Sequence, residues 1–298
     1  MSNTKQLRTQ IKSLTSLQKI LKALEVVSTI KLQKLKKKTE TLRDFFIDFL
    51  NVLNVLEDQI NIFDFDKQHW DEQGRRLIIL ISTDKGLCGS INSRLIKHVA
   101  SKYSERKAKA DIFVVGKKGL DYFVRDGWNV VGSLQLKDNF SEEELTPLYT
   151  YIKKSLAEKK YAKIKVYFNY FKTTITQVPL RFKIFPLDKE SFAAFLKDID
   201  IKLEKIKKPK TQALEIEPNK SALIQKITQE TIKYIVYSAV AQNKTGEHAS
   251  RMLAMKNAKD NSGEIIKSIN VLYNKVRQGK ITQEISEIGN AKMAIEQN

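Results

Sequence analysis

Cysteine, proline and glycine are all scarce in this 298-residue chain, and each scarcity excludes something. Cys88 is the single cysteine, so no intrachain disulfide can form and neither a Cys₄ nor a Cys₂His₂ zinc site can be built. The five prolines are Pro147, Pro179, Pro186, Pro209 and Pro218. A helix interior loses roughly 3 kcal/mol to proline, so both ends of the chain are free of the strongest helix breaker. No glycine precedes Gly74. Histidine is equally sparse: His69, His98 and His248 stand far apart without H-E-x-x-H spacing, and no metal centre is expected. Nothing approaches the ~20 apolar residues that cross a bilayer, and the amino terminus MSNTKQLRTQIKSL lacks an apolar run of signal-peptide length. The expectation is a soluble chain from a reducing compartment, without direct membrane insertion, that meets any membrane through a partner.

What is abundant is positive charge. Lys and Arg number 53 against 34 Asp and Glu, a formal net charge of +19, while apolar residues still make up 42% of the chain. That is enough to build a core. The excess predicts an anionic partner and leaves nucleic acid, a lipid surface and an acidic protein all open.

Along the chain, three regions differ. In residues 1–60, every seventh position from Leu7 reads Leu7, Leu14, Leu21, Ser28, Leu35, Leu42, Phe49 and Leu56. The row three residues on holds Leu17, Leu24, Phe45 and Val52, with Gln10, Lys31 and Lys38 between them. Heptads sustained from Thr4 to Glu57 predict a coiled-coil helix of roughly 80 Å. Residues 74–210 alternate apolar strands, Arg75–Ile81 and Asp111–Val115, with helical stretches from about Ser93 to Ser104 and through Phe123. Lys163–Phe171 and Ile175–Phe185 read as a hairpin around Thr173-Thr174. This pattern predicts a small Rossmann-like α/β domain of parallel βαβ units with a partly antiparallel edge. In residues 215–290 a stripe of Leu223, Ile227, Tyr234, Ala241, His248, Met252, Met255, Ser262, Ile266, Ile269, Tyr273 and Val276 predicts a second long helix. A tail of 291–298 follows. The fold class is therefore an α/β insert plus a long antiparallel coiled coil formed by the N- and C-terminal helices.

Chemistry is harder to find. Neither G-x-x-x-x-G-K-[ST] nor G-x-G-x-x-G occurs. Gly86-x-x-Gly89 after a strand can cradle a phosphate through backbone amides, but a tight βα turn needs glycine for its own sake. Cys88 between glycines reads either as a nucleophile or, more commonly, as a buried thiol. The lysines at 31, 34, 36, 37 and 38 can neutralise phosphates, yet no stacking aromatics are interleaved with them. A solvated helix face or an acidic protein partner is the better reading.

The carboxyl-terminal region carries a resemblance. Gly246-Glu247-His248-Ala249-Ser250-Arg251-Met252-Leu253-Ala254-Met255-Lys256-Asn257-Ala258 closely resembles the E-H-A-x-R-M-x-A-M-K-x-A signature of F-type ATP synthase γ subunits. Tyr273-Asn274-Lys275-Val276-Arg277-Gln278, followed by Ile281-Thr282-Gln283-Glu284-Ile285, is similar to that family's Y-N-x-x-R-Q-x-x-I-T-x-E-[LI]. Asp84-Lys85-Gly86-Leu87-Cys88-Gly89-Ser90-Ile91-Asn92 resembles D-[RK]-G-L-C-G-x-x-N after the first strand, and the Leu7–Leu32 region resembles the amino-terminal helix.

The resemblance implies a central-stalk rotor that couples proton- or sodium-driven turning of a c-subunit ring to ATP synthesis or hydrolysis. Its partners would be three α and three β subunits, the ε subunit and the c ring, with no nucleic acid. It implies a non-catalytic subunit without cofactors, since ATP and magnesium sit in the β subunits, placed at the cytoplasmic face of a bacterial cell membrane. By family match, Arg277, Gln278, Thr282 and Glu284 are expected to touch a β subunit. Lys31, Lys34 and Lys38 are candidates for its acidic lever, and Glu217 for the c ring. Glu247 and Arg251, four apart on a helix, belong to the shaft motif and are placed to form an ion pair. Departures from the pattern are Ala23-Leu24-Glu25 in the first helix, Gly289-Asn290-Ala291-Lys292 near the end, and the lack of a plastid-type dithiol. Two rival readings are a γ-like subunit of a specialised F-type-like ATPase and, in another class, a basic coiled-coil adaptor for nucleic acid.

Overall fold

A computed structural model describes residues 2–57, 74–186, 188–198 and 219–296. In chain order these form helix α1 (Ser2–Glu57), strand β1 (Arg76–Ile81), α2 (Ile91–Lys102), β2 (Ala110–Val115), α3 (Lys117–Arg125), β3 (Asn129–Leu134), α4 (Thr146–Ala157), β4 (Lys163–Phe171), β5 (Gln177–Phe185), α5 (Lys189–Asp198) and α6 (Lys220–Glu296). They group into two compact units, Thr29–Arg251 and Met1–Ser28 with Met252–Asn298.

The first unit is built on a five-stranded sheet in the order β3-β2-β1-β4-β5. β1 pairs in parallel with β2 and β4, β2 pairs in parallel with β3, and β5 closes one edge antiparallel to β4. The βαβ units and the hairpin follow the expectation. β1 and β2 are flanked on both sides, and β2 is buried at every residue, which is why these strands read as continuous apolar runs.

Each face of the sheet has its own cover. On one side Ile78, Leu80, Ile112, Val114 and Tyr167 pack against Leu95, Ile96 and Val99 of α2, Phe123 of α3 and Trp128. On the other, Leu77, Ile79, Phe113, Val166 and Phe168 share a core with Leu148 and Ile152 of α4, Leu35 of α1, and Ile232, Ile235, Val236, Ala239 and Val240 of α6. Each such side chain contributes about 1.5–3 kcal/mol by leaving water. The middle of α6 is thus a structural layer of the α/β domain. At Gly246 the fit is tight: a Cβ there would meet the Gln177 side chain at 3.3 Å and Ile91 at 3.5 Å.

In the second unit, the start of α1 lies against the later part of α6. Gln18 Nε2 donates to the Lys259 carbonyl at 3.3 Å, and Lys259 Nζ pairs with Glu25 at 2.8 Å. A Cβ on Gly263 would meet Gln18 Nε2 at 3.1 Å. Moving from Gln18 to Glu25 on one helix therefore moves from Gly263 back to Lys259 on the other, so the pair is antiparallel.

The heptad row from Leu7 is the buried one: Leu7, Leu21, Ser28 and Leu35 are all buried. Its companion differs from the sequence reading. It lies four residues on, at Ile11, Gln18, Glu25, Leu32 and Thr39, while Leu17 and Phe45 of the expected row are 44% and 57% exposed. Three members of the true row are polar, so hydrophobicity does not report it. The stripe on α6 holds, with Met255 and Ser262 buried and Ile266, Ile269, Tyr273 and Val276 half-buried. α6 runs on through Glu296, past the expected end near residue 290. The junction near 210–215, and the end of the first region near residue 60, lie outside the described residues.

Candidate functional site: two docked motifs and an exposed helix surface

The turn after β1 is closed by its own side chains. Asn92 Oδ1 accepts from the Thr83 amide at 3.1 Å, and Asn92 Nδ2 donates to Thr83 Oγ1 at 2.7 Å. Cys88 is buried inside this turn, and burial pushes its thiol pKa up, the opposite of what a nucleophile needs. Gly89 adopts a positive φ of 58°, and a Cβ there would sit 3.3 Å from the Ser250 hydroxyl. Glycine therefore lets the turn meet α6.

The meeting is extensive. Ser250 Oγ donates to the Cys88 carbonyl at 2.7 Å. Arg251 Nε donates to the Gly86 carbonyl at 3.3 Å, and its terminal nitrogen to the Lys85 carbonyl at 3.4 Å and to Glu247 Oε1 at 2.6 Å. One turn earlier, Lys244 Nζ donates to the Leu136 carbonyl at 2.8 Å and reaches Asp84 at 3.4 Å. Asn243 donates to the Ser82 carbonyl at 3.3 Å and accepts from the Asn169 amide at 3.1 Å. The two sequence motifs, far apart in the chain, are one polar interface.

This geometry decides the phosphate question. In open α/β sheets a ligand binds in the crevice outside the carboxyl ends of the strands, at the switch point of strand order. Here that point lies between β1 and β4, and Asn243 of α6 bridges Ser82 and Asn169 across it. The glycine turn presents carbonyls to an arginine, and what it holds is a helix. Among the described residues no group of three His, Cys, Asp or Glu side chains converges as a metal site would require.

Charge inside the interface is tuned by burial. Glu247 and Arg251 form the ion pair expected from their spacing, with Glu247 buried. Burial raises the Glu247 pKa, against the pull of Arg251 and Lys244. His248 is also buried, and burial together with Arg251 lowers its pKa to about 4, so the imidazole is neutral at pH 7. Its Nε2 stands 3.6 Å from Asp138. Burial disfavours the ionised form of Asp138 too, but Lys31, at 2.5 Å, His248 and Lys244 outweigh it and hold the carboxyl below its ordinary range.

The remaining predicted positions are not brought together here. Lys31 is engaged with Asp138, and Lys38 donates to the Phe140 carbonyl at 3.1 Å while its ammonium sits 3.9 Å above the Phe140 ring centroid. Lys34 is exposed. Arg277, Gln278, Thr282 and Glu284 are all exposed on the later part of α6. Thr282 Oγ1 donates to the Gln278 carbonyl at 3.0 Å, and Glu284 pairs with Lys280 at 3.2 Å. Glu217 lies outside the described residues. Sequence reasoning missed Asp138, Asn169, Asn243 and Lys244. Isolated polar letters carry no signal until the fold sets them opposite one another.

An α/β domain whose ligand crevice is filled by one of two long antiparallel helices defines a structural, helix-presenting class of protein. The comparisons narrow it. The family model described as ATP synthase matches residues 3–295. The ATP synthase gamma chain of Buchnera aphidicola subsp. Baizongia pistaciae is 34% identical over 225 residues, 74% of each chain. That of Staphylococcus saprophyticus is 30% identical over 222 residues, 73% of each. This chain belongs to the ATP synthase gamma-chain family. Its fold is similar to a chain in the OSCP/F1/c-ring structure of Euglena gracilis mitochondrial ATP synthase, with a TM-score of 0.67, 19% identity, and coverage of 98% of this chain and 94% of that one. A central stalk/c-ring chain from Tetrahymena thermophila mitochondrial ATP synthase matches with a TM-score of 0.59 and 24% identity, over 80% of this chain and 99% of that one.

Proposed function

We propose that the chain is the central-stalk rotor of an F-type ATP synthase, turning with a c ring and driving an α/β hexamer, with ε as a further partner. The observation that carries this is the division of α6. Its middle is locked into the α/β domain by buried polar contacts, and its later part offers an exposed surface. Such a helix can take a turn imposed at the sheet domain and present it to neighbours. Moving a β subunit between open and closed states requires contacts that differ between those states. Arg277, Gln278, Thr282 and Glu284 supply them in this reading, and Lys34 faces the acidic lever. Lys31 and Lys38 join that contact only by giving up their bonds to Asp138 and Phe140. Glu217 is assigned to the c ring. Catalysis stays with the β subunits, and the complex sits at the cytoplasmic face of a bacterial membrane. No helix among the described residues is long and apolar enough to cross that membrane.

The test is reconstitution with cognate α and β subunits. Wild type should sustain multi-turnover ATPase. Arg277→Ala with Gln278→Ala should assemble normally and turn over about tenfold more slowly, the equivalent of one lost charge-assisted hydrogen bond. Unchanged turnover removes these two residues from the coupling surface.

A further inference from the structure

The antiparallel edge of the sheet gathers positive charge on one face. Lys163 and Lys165 of β4 and Arg181 and Lys183 of β5 line a cavity of about 290 Å³ that Ser191 and Asp198 of α5 help to wall. Strand pairing sets Lys165 directly opposite Lys183, an arrangement in which like charges destabilise a sheet. On the other side of β4, Arg76 of β1 stands opposite Lys163. The three lysines are half-buried and Arg181 is exposed. Burial, together with the charges of Arg76, Lys163, Lys183 and Arg106, pushes the Lys165 pKa down. Carboxylates answer only part of this charge. Lys183 pairs with Asp188, which also accepts from the Ser191 amide at 2.6 Å and so caps α5. Asp198 is the one carboxylate among the described lining residues. Among the described residues no carboxylate forms an ion pair with Lys163, Lys165 or Arg181. A fold that keeps such an uncompensated cluster breaks a local rule, and functional sites are where such breaks are expected.

We propose that this cavity binds a small soluble oxyanion of the phosphate and diphosphate class. Ammonium groups from two strands supply point charges, and the Arg181 guanidinium supplies a fork that matches phosphate oxygens. The volume is at the small end for ligand sites, and no aromatic side chain among the described lining residues is placed to stack a base. Half-buried lysines inside a cavity are also poorly reached by a flat lipid surface. The site uses none of the residues assigned to rotor contacts and does not rest on that reading.

The experiment titrates sodium pyrophosphate into the intact chain by calorimetry at low ionic strength. Wild type should take up a single saturable equivalent. Lys165→Met should weaken that binding about tenfold, the ratio expected for one lost charge-assisted hydrogen bond. Arg181→Gln, at an exposed position, should act in the same direction and serves if Lys165→Met does not fold. Lys154→Gln, at an exposed lysine of α4 paired with Glu158, should bind as wild type does. Pyrophosphate should also raise the melting temperature of wild type and leave that of Lys165→Met nearly unchanged, because only a ligand of the folded state stabilises it. Wild-type affinity in whichever cavity variant folds overturns the proposal. So does unsaturable uptake that neither substitution changes, the behaviour of general attraction to a chain of net charge +19. Binding to anionic phospholipid vesicles through Lys165, with none to free pyrophosphate, overturns it as well and makes the face a lipid contact.

Discussion

Two stretches of the same helix show how one element serves two environments. Between Thr231 and Arg251, α6 is buried on almost every side, and Asn243, Lys244, Ser250 and Arg251 bond to partners from the sheet domain. Beyond Lys256 only a narrow stripe stays covered, and Val271, Ile285 and Ile288 are 64–70% exposed. Helix propensity does not separate the two. The difference is in what surrounds them: a sheet, α4 and α1 in one case, a single antiparallel helix in the other. A residue type therefore costs or contributes according to its place along α6, and that comparison can be broken experimentally.

The largest effect is expected at the buried ion pair. Arg251→Met leaves the buried Glu247 carboxyl without its charged hydrogen-bond partner, which costs about 3 kcal/mol whether it stays ionised or takes up a proton. Arg277→Met on the exposed stretch should stay within about 0.5 kcal/mol of wild type. Urea unfolding followed by Trp128 fluorescence, in a Trp70→Phe background, reads both. Equal losses would mean that the middle of α6 is not the anchored part.

Next come the apolar positions. Ile235→Ala removes a side chain from the shared core and should cost about 3 kcal/mol, whereas Ile285→Ala should leave stability unchanged. The same unfolding measurement decides it.

His248 sharpens the comparison through pH. Its folded pKa of about 4 lies below the ordinary 6.5, so between those values the unfolded chain binds more protons than the folded one. Stability then rises with pH across this window and is lost as the pH falls through it, by about 2 kcal/mol once residual solvation is allowed for. Asp138, held below its ordinary range, adds a loss in the same direction at lower pH. Glu247 is raised and acts oppositely. The difference between wild type and His248→Gln isolates the imidazole, and parallel pH profiles would refute the assignment.

The smallest effect is expected at Lys259, whose pair with Glu25 spans the antiparallel helices. Lys259→Gln should soften thermal unfolding slightly at low ionic strength and not at all at high salt, because the pair is screened.

Much of this architecture was legible in the letters. The Leu7 row, the Met255–Val276 stripe, the β1 and β2 runs and the β4–β5 hairpin all follow from period and composition. β3 did not, because Asn129, Gly132 and Ser133 dilute an edge strand that is at most half-buried. The true companion row on α1 escaped because Gln18, Glu25 and Thr39 pack through polar contacts. The motif Glu247-His248-Ala249-Ser250-Arg251 could be read as belonging to a shaft. Its docking onto Lys85, Gly86 and Cys88 could not.

Local order in the sequence determined the elements: proline-free ends with heptad spacing become long helices, and short apolar runs bounded by glycine become strands, since propensity and periodicity act over neighbours. Only the tertiary structure decided which polar groups meet. Asp138 between Lys31 and His248, and Asn243 across the mouth of the sheet, depend on contacts between distant segments. A buried hydrogen bond has no period along the chain, so no pattern in it announces the partner.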